Sequence, residues 1–176
     1  MASSDFRGFL AERKSVRAYQ DVPLSGEEVE YIVTCAGKAP SAGNREAWDV
    51  IVVADKETRW ALAQAALDQP HVEQAPVLFV VCANYIRSMS KYGERGILYA
   101  VQDATIACTY MMLAAHAQGL ASCWTGAFDE SEVKDIFELP QHVRPIAILT
   151  VGRKSDSAQE QTGRMPIEEH VHQEYW

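Results

Sequence analysis

The sequence has no excess of positive charge: 16 Lys and Arg stand against 24 Asp and Glu, a formal net charge of −8. Nucleic acid and anionic membrane surfaces are poor partners for such a chain. Cysteine is sparse and unpatterned. Cys35, Cys82, Cys108 and Cys123 form no C-x-x-C pair, and each lies in an apolar run. They read as buried free thiols in a reducing cytoplasm, not as a disulfide frame or metal site. No G-x-G-x-x-G or Walker spacing occurs, so no nucleotide-fold phosphate loop is marked. The opening Met-Ala-Ser-Ser-Asp-Phe-Arg lacks the apolar core of a secretory signal. No repeat, low-complexity tract or internal linker divides the 176 residues, and a single domain over 1–176 is expected.

What is present is organised around Gly96 to Gly119, an Ala-, Leu- and Met-rich stretch with Gly119 in position to end a helix. About 22 helical residues at 1.5 Å each span roughly 33 Å. Gln102, Asp103, Thr105, Thr109, His116 and Gln118 are its few polar residues and form no broad wet face. A helix apolar nearly all round must be covered on every side. Asp103 and Gln102 argue against a membrane span, so the expected cover is the chain's own sheet on one side and a second copy of the chain on the other.

Before it, Ser3 or Ser4 is placed to cap a helix reaching about Arg13, and Ser25 to cap another that ends at Gly37. Trp48–Ala54 and the all-apolar Pro76–Ala83 read as strands, the second central; a helix capped by Asp55 lies between them. Tyr85 to Arg95 reads as a loop. After the long helix come a strand from Ala121, turning at Gly126, a helix capped by Asp129, and a strand over Arg144–Gly152. The segment Arg13-Lys14-Ser15-Val16-Arg17 places three cations and a hydroxyl together, a compact anion site. The small-residue loop Ala39-Pro40-Ser41-Ala42-Gly43-Asn44 lets backbone approach a ligand, with Gly43 free to take a positive φ. The tail, 154–176, ends in Tyr175-Trp176, an odd finish for a segment free in solvent. His170 and His172 have no third ligand, and no metal site is read.

Taken together, Arg13–Arg17, Pro40–Asn44 with Trp48 behind it, the Asp103 helix ending Gly119-Leu120, Trp124–Phe128, Val151-Gly152, and Arg164 with Pro166 resemble the nitroreductase-like flavoprotein family. The resemblance covers nearly the whole chain and implies an α+β fold with a mixed central sheet. It further implies an intertwined homodimer in which each tail embraces the other subunit. It implies FMN at the dimer interface, touched by both chains, with NAD(P)H as electron donor and a flat, electron-poor small molecule as acceptor. On this analogy Arg13, Ser15 and Arg164, assisted by Lys14, hold the FMN phosphate. Arg17 faces the pyrimidine edge; Pro40, Ser41 and Asn44 line the ring and ribityl chain; Thr125 and Gly126 lie beside the nitrogen that accepts hydride. The cofactor carries the chemistry, so no catalytic side chain is named.

The chain departs from the family pattern at three places. Glu46 stands in the Asn44–Trp48 motif, Thr162 where a second tail cation is common, and Tyr110 where Asn is frequent. Two other functions fit the same residues. One is a specialised relative such as a dehalogenase, enoate reductase or dehydrogenase; the other is a flavin carrier or sensor without turnover.

Overall fold

The computed structural model describes residues 3–156 and 163–176. In chain order the elements are α1 (Ser3–Glu12), α2 (Gly26–Ala36), β1 (Trp48–Val53), α3 (Lys56–Ala65), α4 (Pro70–Gln74), β2 (Val77–Asn84), α5 (Tyr85–Tyr92), α6 (Arg95–Ala117), β3 (Ala121–Thr125), α7 (Glu130–Ile136) and β4 (Val143–Gly152), with short 3₁₀ turns at Ala42–Asn44 and Ile167–Glu169. α1 takes in Ser3 and Ser4 instead of starting after them. The other caps fall where the sequence places them. Ser25 and Glu28 form a reciprocal capping box at α2, and Asp55 and Asp129 accept from backbone N–H groups of α3 and α7. Tyr85–Tyr92 is a helix, not a loop; Tyr85, Ile86, Met89 and Tyr92 recur at helical spacing, a signal the loop reading misses.

The four strands lie in the order β1-β2-β4-β3. Every neighbouring pair is antiparallel, so the expected mixed sheet is corrected. The reason lies in the connections. The α3–α4 excursion leaves from Val53 and returns beside it at Leu78, at the same end of the sheet. α6 instead carries the chain to the opposite end, so β3 runs in the direction of β2, but β4 inserts between them and opposes both. Among the described residues, the one parallel pairing is an isolated bridge between Ser15 and Ser122 at the β3 edge.

All eight residues of β2 are buried. One face of the sheet packs on α2 and α6 through Phe79, Val81, Met111 and Leu149. The other packs on the α3–α4–α7 layer through Leu62, Leu78, Val80 and Ile148. β2 is apolar on both faces because helices cover both. α6 is long and apolar enough to cross a membrane, yet Ala100, Asp103, Ala104, Ala107, Cys108 and Met111 are buried in the core. Its far side leaves Ile97, Leu98 and Tyr110 exposed. Cys82, Cys108 and Cys123 are buried, Cys35 is half-buried, and all four are free. Residues 163–176 are exposed throughout, Tyr175 and Trp176 included.

Candidate functional site

The segment after α1 runs along the β3 edge. Val16 N–H donates to the Ser122 carbonyl at 3.0 Å, and Tyr19 fixes the segment from within. The Tyr19 hydroxyl donates to the Val16 carbonyl at 2.6 Å and bonds the Thr150 hydroxyl at 2.6 Å. Burial pushes this phenol well above its ordinary range, so it stays protonated and donating. In the extended 15–19 stretch Val16 and Tyr19 are buried while Lys14, Ser15 and Arg17 are exposed and Arg13 is half-buried. The backbone is thus fixed to the sheet, and the polar side chains are displayed.

Arg13 and Lys14 line a cleft of about 540 Å³, with Val16, Leu120 and Ala121 as apolar wall and Lys154 on its rim. His116 closes it from α6; its Nε2 lies 3.0 Å from the Phe9 carbonyl and its ring packs on the Phe9 ring, the packed histidine that its place on the helix implies.

Beyond this cleft β3 leads to Thr125 and Gly126, and here the sequence gives no hint of the partner. His71, buried on α4, places Nε2 2.8 Å from the Thr125 hydroxyl. Two further bonds brace the same segment: Gln69 Nε2 donates to the Ala127 carbonyl at 2.9 Å, and Asp129 N–H to the Ala65 carbonyl at 2.8 Å. Gly126, between these anchors, is exposed. Burial first, and the Arg17 charge second, hold the His71 imidazole below its ordinary range, favouring the neutral ring. Arg17 and Arg13 also act on Cys123, where burial outweighs them and raises the thiol. The parallel Ser15–Ser122 bridge carries Arg17 along β3 in the direction of Thr125.

The second predicted cluster lies elsewhere. Asp103, buried on α6, accepts from Ala42 N–H at 2.8 Å and from Ala47 N–H at 3.2 Å. This carboxylate shapes the loop that carries Pro40, Ser41 and Asn44. Gly43 takes φ 57° as anticipated, against Lys91 and Tyr92 of α5. Ser41 Oγ accepts from Glu46 N–H at 3.0 Å, which leaves its hydroxyl proton free to donate. Arg45 turns to α5, donating to the Arg87 carbonyl and to Ser90.

The sheet register separates the two clusters. Trp48, next to the loop, lies opposite Ala83, whereas Ser122 lies opposite Val151 and so level with Val77. Three strand spacings of about 4.8 Å across, and about six residues of roughly 3.4 Å along, place them about 25 Å apart in one chain. The structure therefore brings Arg13, Lys14, Ser15, Arg17, Thr125 and Gly126 to one sheet edge and Pro40, Ser41 and Asn44 to the other, the Ser15–Ser122 end lying diagonally across from the loop and Thr125 nearer its level. Arg164 lies in the tail, exposed, with Nη1 3.2 Å from the Gly163 carbonyl. Thr162 is outside the described residues.

The donor set of the β3 edge fits a phosphorylated flat ring: cations at a cleft with apolar walls, then a braced strand end with a bare backbone at Gly126. Comparison with known proteins bears on the chain as a whole. The Nitroreductase family model matches residues 10–75 and 66–153. An FMN reductase [NAD(P)H] of Bacillus subtilis is 31% identical over 94% of this chain and 72% of its own length. The structure of B. megaterium NfrA1 superposes with a TM-score of 0.90 at 32% identity, covering 97% of this chain and 74% of that one. An FMN-dependent nitroreductase from Clostridium difficile superposes at 0.82 with 25% identity, covering 97% of this chain and 99% of that one. In fold and in sequence, the chain belongs to the nitroreductase family.

Proposed function

We propose that the protein is an FMN-dependent oxidoreductase that takes electrons from NAD(P)H and delivers them to a flat, electron-poor small molecule such as a nitroaromatic or quinone. The observation that carries this reading is the cationic cleft leading along β3 to the braced, exposed Gly126. Arg13 and Ser15, with Lys14 and the tail Arg164, hold the phosphate. Arg17 places a fixed positive charge at the ring's pyrimidine edge, where it favours the negative charge gained on reduction. Thr125 and Gly126 flank the hydride-accepting nitrogen, with a backbone N–H available as donor. Bound FMN supplies the redox chemistry itself, so no side chain acts as acid or base. Donor and acceptor use the same place in turn, the ping-pong order.

The 25 Å between the clusters supports a homodimer. Pro40, Ser41 and Asn44 of one copy complete the site that Arg13 to Arg17 of the other begins. The uncovered Ile97, Leu98 and Tyr110 of α6 and the aromatic-tipped tail form the interface. Four free thiols suit a cytoplasmic setting.

The test is a visible spectrum of the purified protein before and after NADH or NADPH, with identification of the released flavin and light scattering on the same sample. Flavin bands that bleach, mostly FMN on release, and a dimer at low micromolar concentration are expected. FAD, or no flavin after reconstitution, overturns the cofactor. Bands that persist with both donors overturn turnover, and a stable folded monomer overturns the shared site.

A further inference from the structure

A phosphate dianion in a chain this acidic needs more than one fixed cation beside it. The resemblance implies a second tail cation where this chain has Thr162. The structure supplies a replacement from another direction. Lys154, two residues past β4, lines the same cleft as Arg13 and Lys14, and among the described residues Glu12 is the one acidic residue of its lining.

Its place there is set by backbone, not by chance of a long side chain. Residues 153–155 are zipped to residues 18–20. Gln20 N–H donates to the Arg153 carbonyl at 2.9 Å, Ser155 N–H to the Ala18 carbonyl at 3.0 Å, and Gln20 Nε2 to the Lys154 carbonyl at 2.9 Å. Tyr19 and Lys154 form an isolated antiparallel bridge. Successive side chains of an extended segment point to opposite sides. Arg153 points to α2, where Nη2 meets Glu28 Oε1 at 3.0 Å, so Lys154 is directed the other way, to the cleft. Of two adjacent cations, one is committed to a carboxylate and the other is presented to the site.

We propose that Lys154 is a phosphate-binding residue of the flavin site, a further clamp cation beside Arg13 and Lys14. This rests on the FMN reading above. A lysine suits the position because a compact point charge tolerates approach from the rim, where an arginine fork needs a fixed geometry.

The test compares FMN with riboflavin, which lacks the phosphate, by fluorescence titration of the full-length, flavin-stripped protein. Lys154→Ala is expected to weaken FMN about tenfold, leave riboflavin unchanged and flatten the salt dependence of FMN binding. Lys154→Arg is expected to restore most of the affinity, and Lys56→Ala, an exposed cation on α3, to change neither ligand. If the unaltered protein does not prefer FMN to riboflavin, the phosphate reading itself fails. If that preference stands but Lys154→Ala weakens both ligands equally, or neither, the role assigned to Lys154 is overturned.

Discussion

The two corners that carry the predicted ligand residues are built on different principles. At the β3 edge, residues 15–20 are held mainly by backbone bonds to Ser122 and to residues 153–155, with Tyr19 and Gln20 adding side-chain bonds, and Ser15 and Arg17 are left over for a ligand. At the β1 corner the Ala42–Ala47 loop is held by a side chain, the Asp103 carboxylate that reaches it from α6. A site fixed by backbone can lose a side chain and keep its shape. One fixed by a side chain loses its shape with it.

Substitutions at the two corners should therefore separate stability from binding. The largest effect is expected for Asp103→Ala, which orphans the N–H groups of Ala42 and Ala47. At about 1–3 kcal/mol for each unsatisfied donor, the loss is about 3 kcal/mol. At roughly 2–4 °C per kcal/mol for this size, Tm should fall by about 6–12 °C in calorimetry. Asp103→Asn keeps one acceptor and should lose about half as much. A Tm unchanged in both would break the contrast.

Next in size is Arg13→Ala. Its charge-assisted bond, worth about 1.5–3 kcal/mol, should be lost from FMN binding, a fall of tenfold or more. Tm without flavin should move by no more than about 0.5 kcal/mol equivalent. Equilibrium titration and melting of one sample give both values. A matching loss of stability would show that this edge, too, is held by side chains.

Arg17→Ala sharpens the comparison within the β3 edge. An interaction of the same size, made more strongly with the reduced ring, corresponds to tens of millivolts at about 30 mV per 1.4 kcal/mol for two electrons. The bound-flavin potential should fall by that order in Arg17→Ala and stay nearly constant in Arg13→Ala at saturating FMN. Equal shifts would reverse the two assignments.

The smallest effect concerns pH. His71 has a folded-state pKa below its ordinary 6.5, so the folded protein binds its proton less readily than the unfolded chain. The stability this contributes is fully present above about pH 6.5 and is lost as pH falls from there through the folded value. His71→Gln, which still bonds Thr125, should be least stable relative to the unaltered protein above pH 6.5, and the gap should narrow on acidification. A gap that widens toward pH 5 would contradict a neutral buried imidazole.

Much of this was readable in the sequence. The capping residues Ser25, Asp55 and Asp129, the both-face apolarity of Pro76–Ala83 and the stop at Gly119 are local signals, and the elements they mark are where they should be. Gly43 carries its own requirement for positive φ. Strand order is not local: nothing near Ala121 or Arg144 says that β4 will slip between β2 and β3, and that one insertion turns a mixed sheet into an antiparallel one. His71 and Lys154 escaped for the same reason. Each is an ordinary residue in its own neighbourhood, and each matters through a partner more than 50 positions away. The α5 helix is legible after all, since Tyr85, Met89 and Tyr92 repeat at i, i+4 and i+7; it is only about two turns long, and its basic residues mask the repeat.

The bridge between Tyr19 and Lys154 also has a consequence in time. Its two ends are separated by most of the chain, so on a ribosome the cationic segment is made early and waits. Synthesis at about 5–20 residues per second leaves roughly 7–30 s between the emergence of Arg17 and that of Lys154. Through that interval the segment lacks the 153–155 backbone that completes its anchorage. The flavin cleft is thus among the last parts of the protein to form, and a nascent chain holds no finished binding site until β4 has left the tunnel. A truncated product ending before residue 153 would lack that anchorage as well.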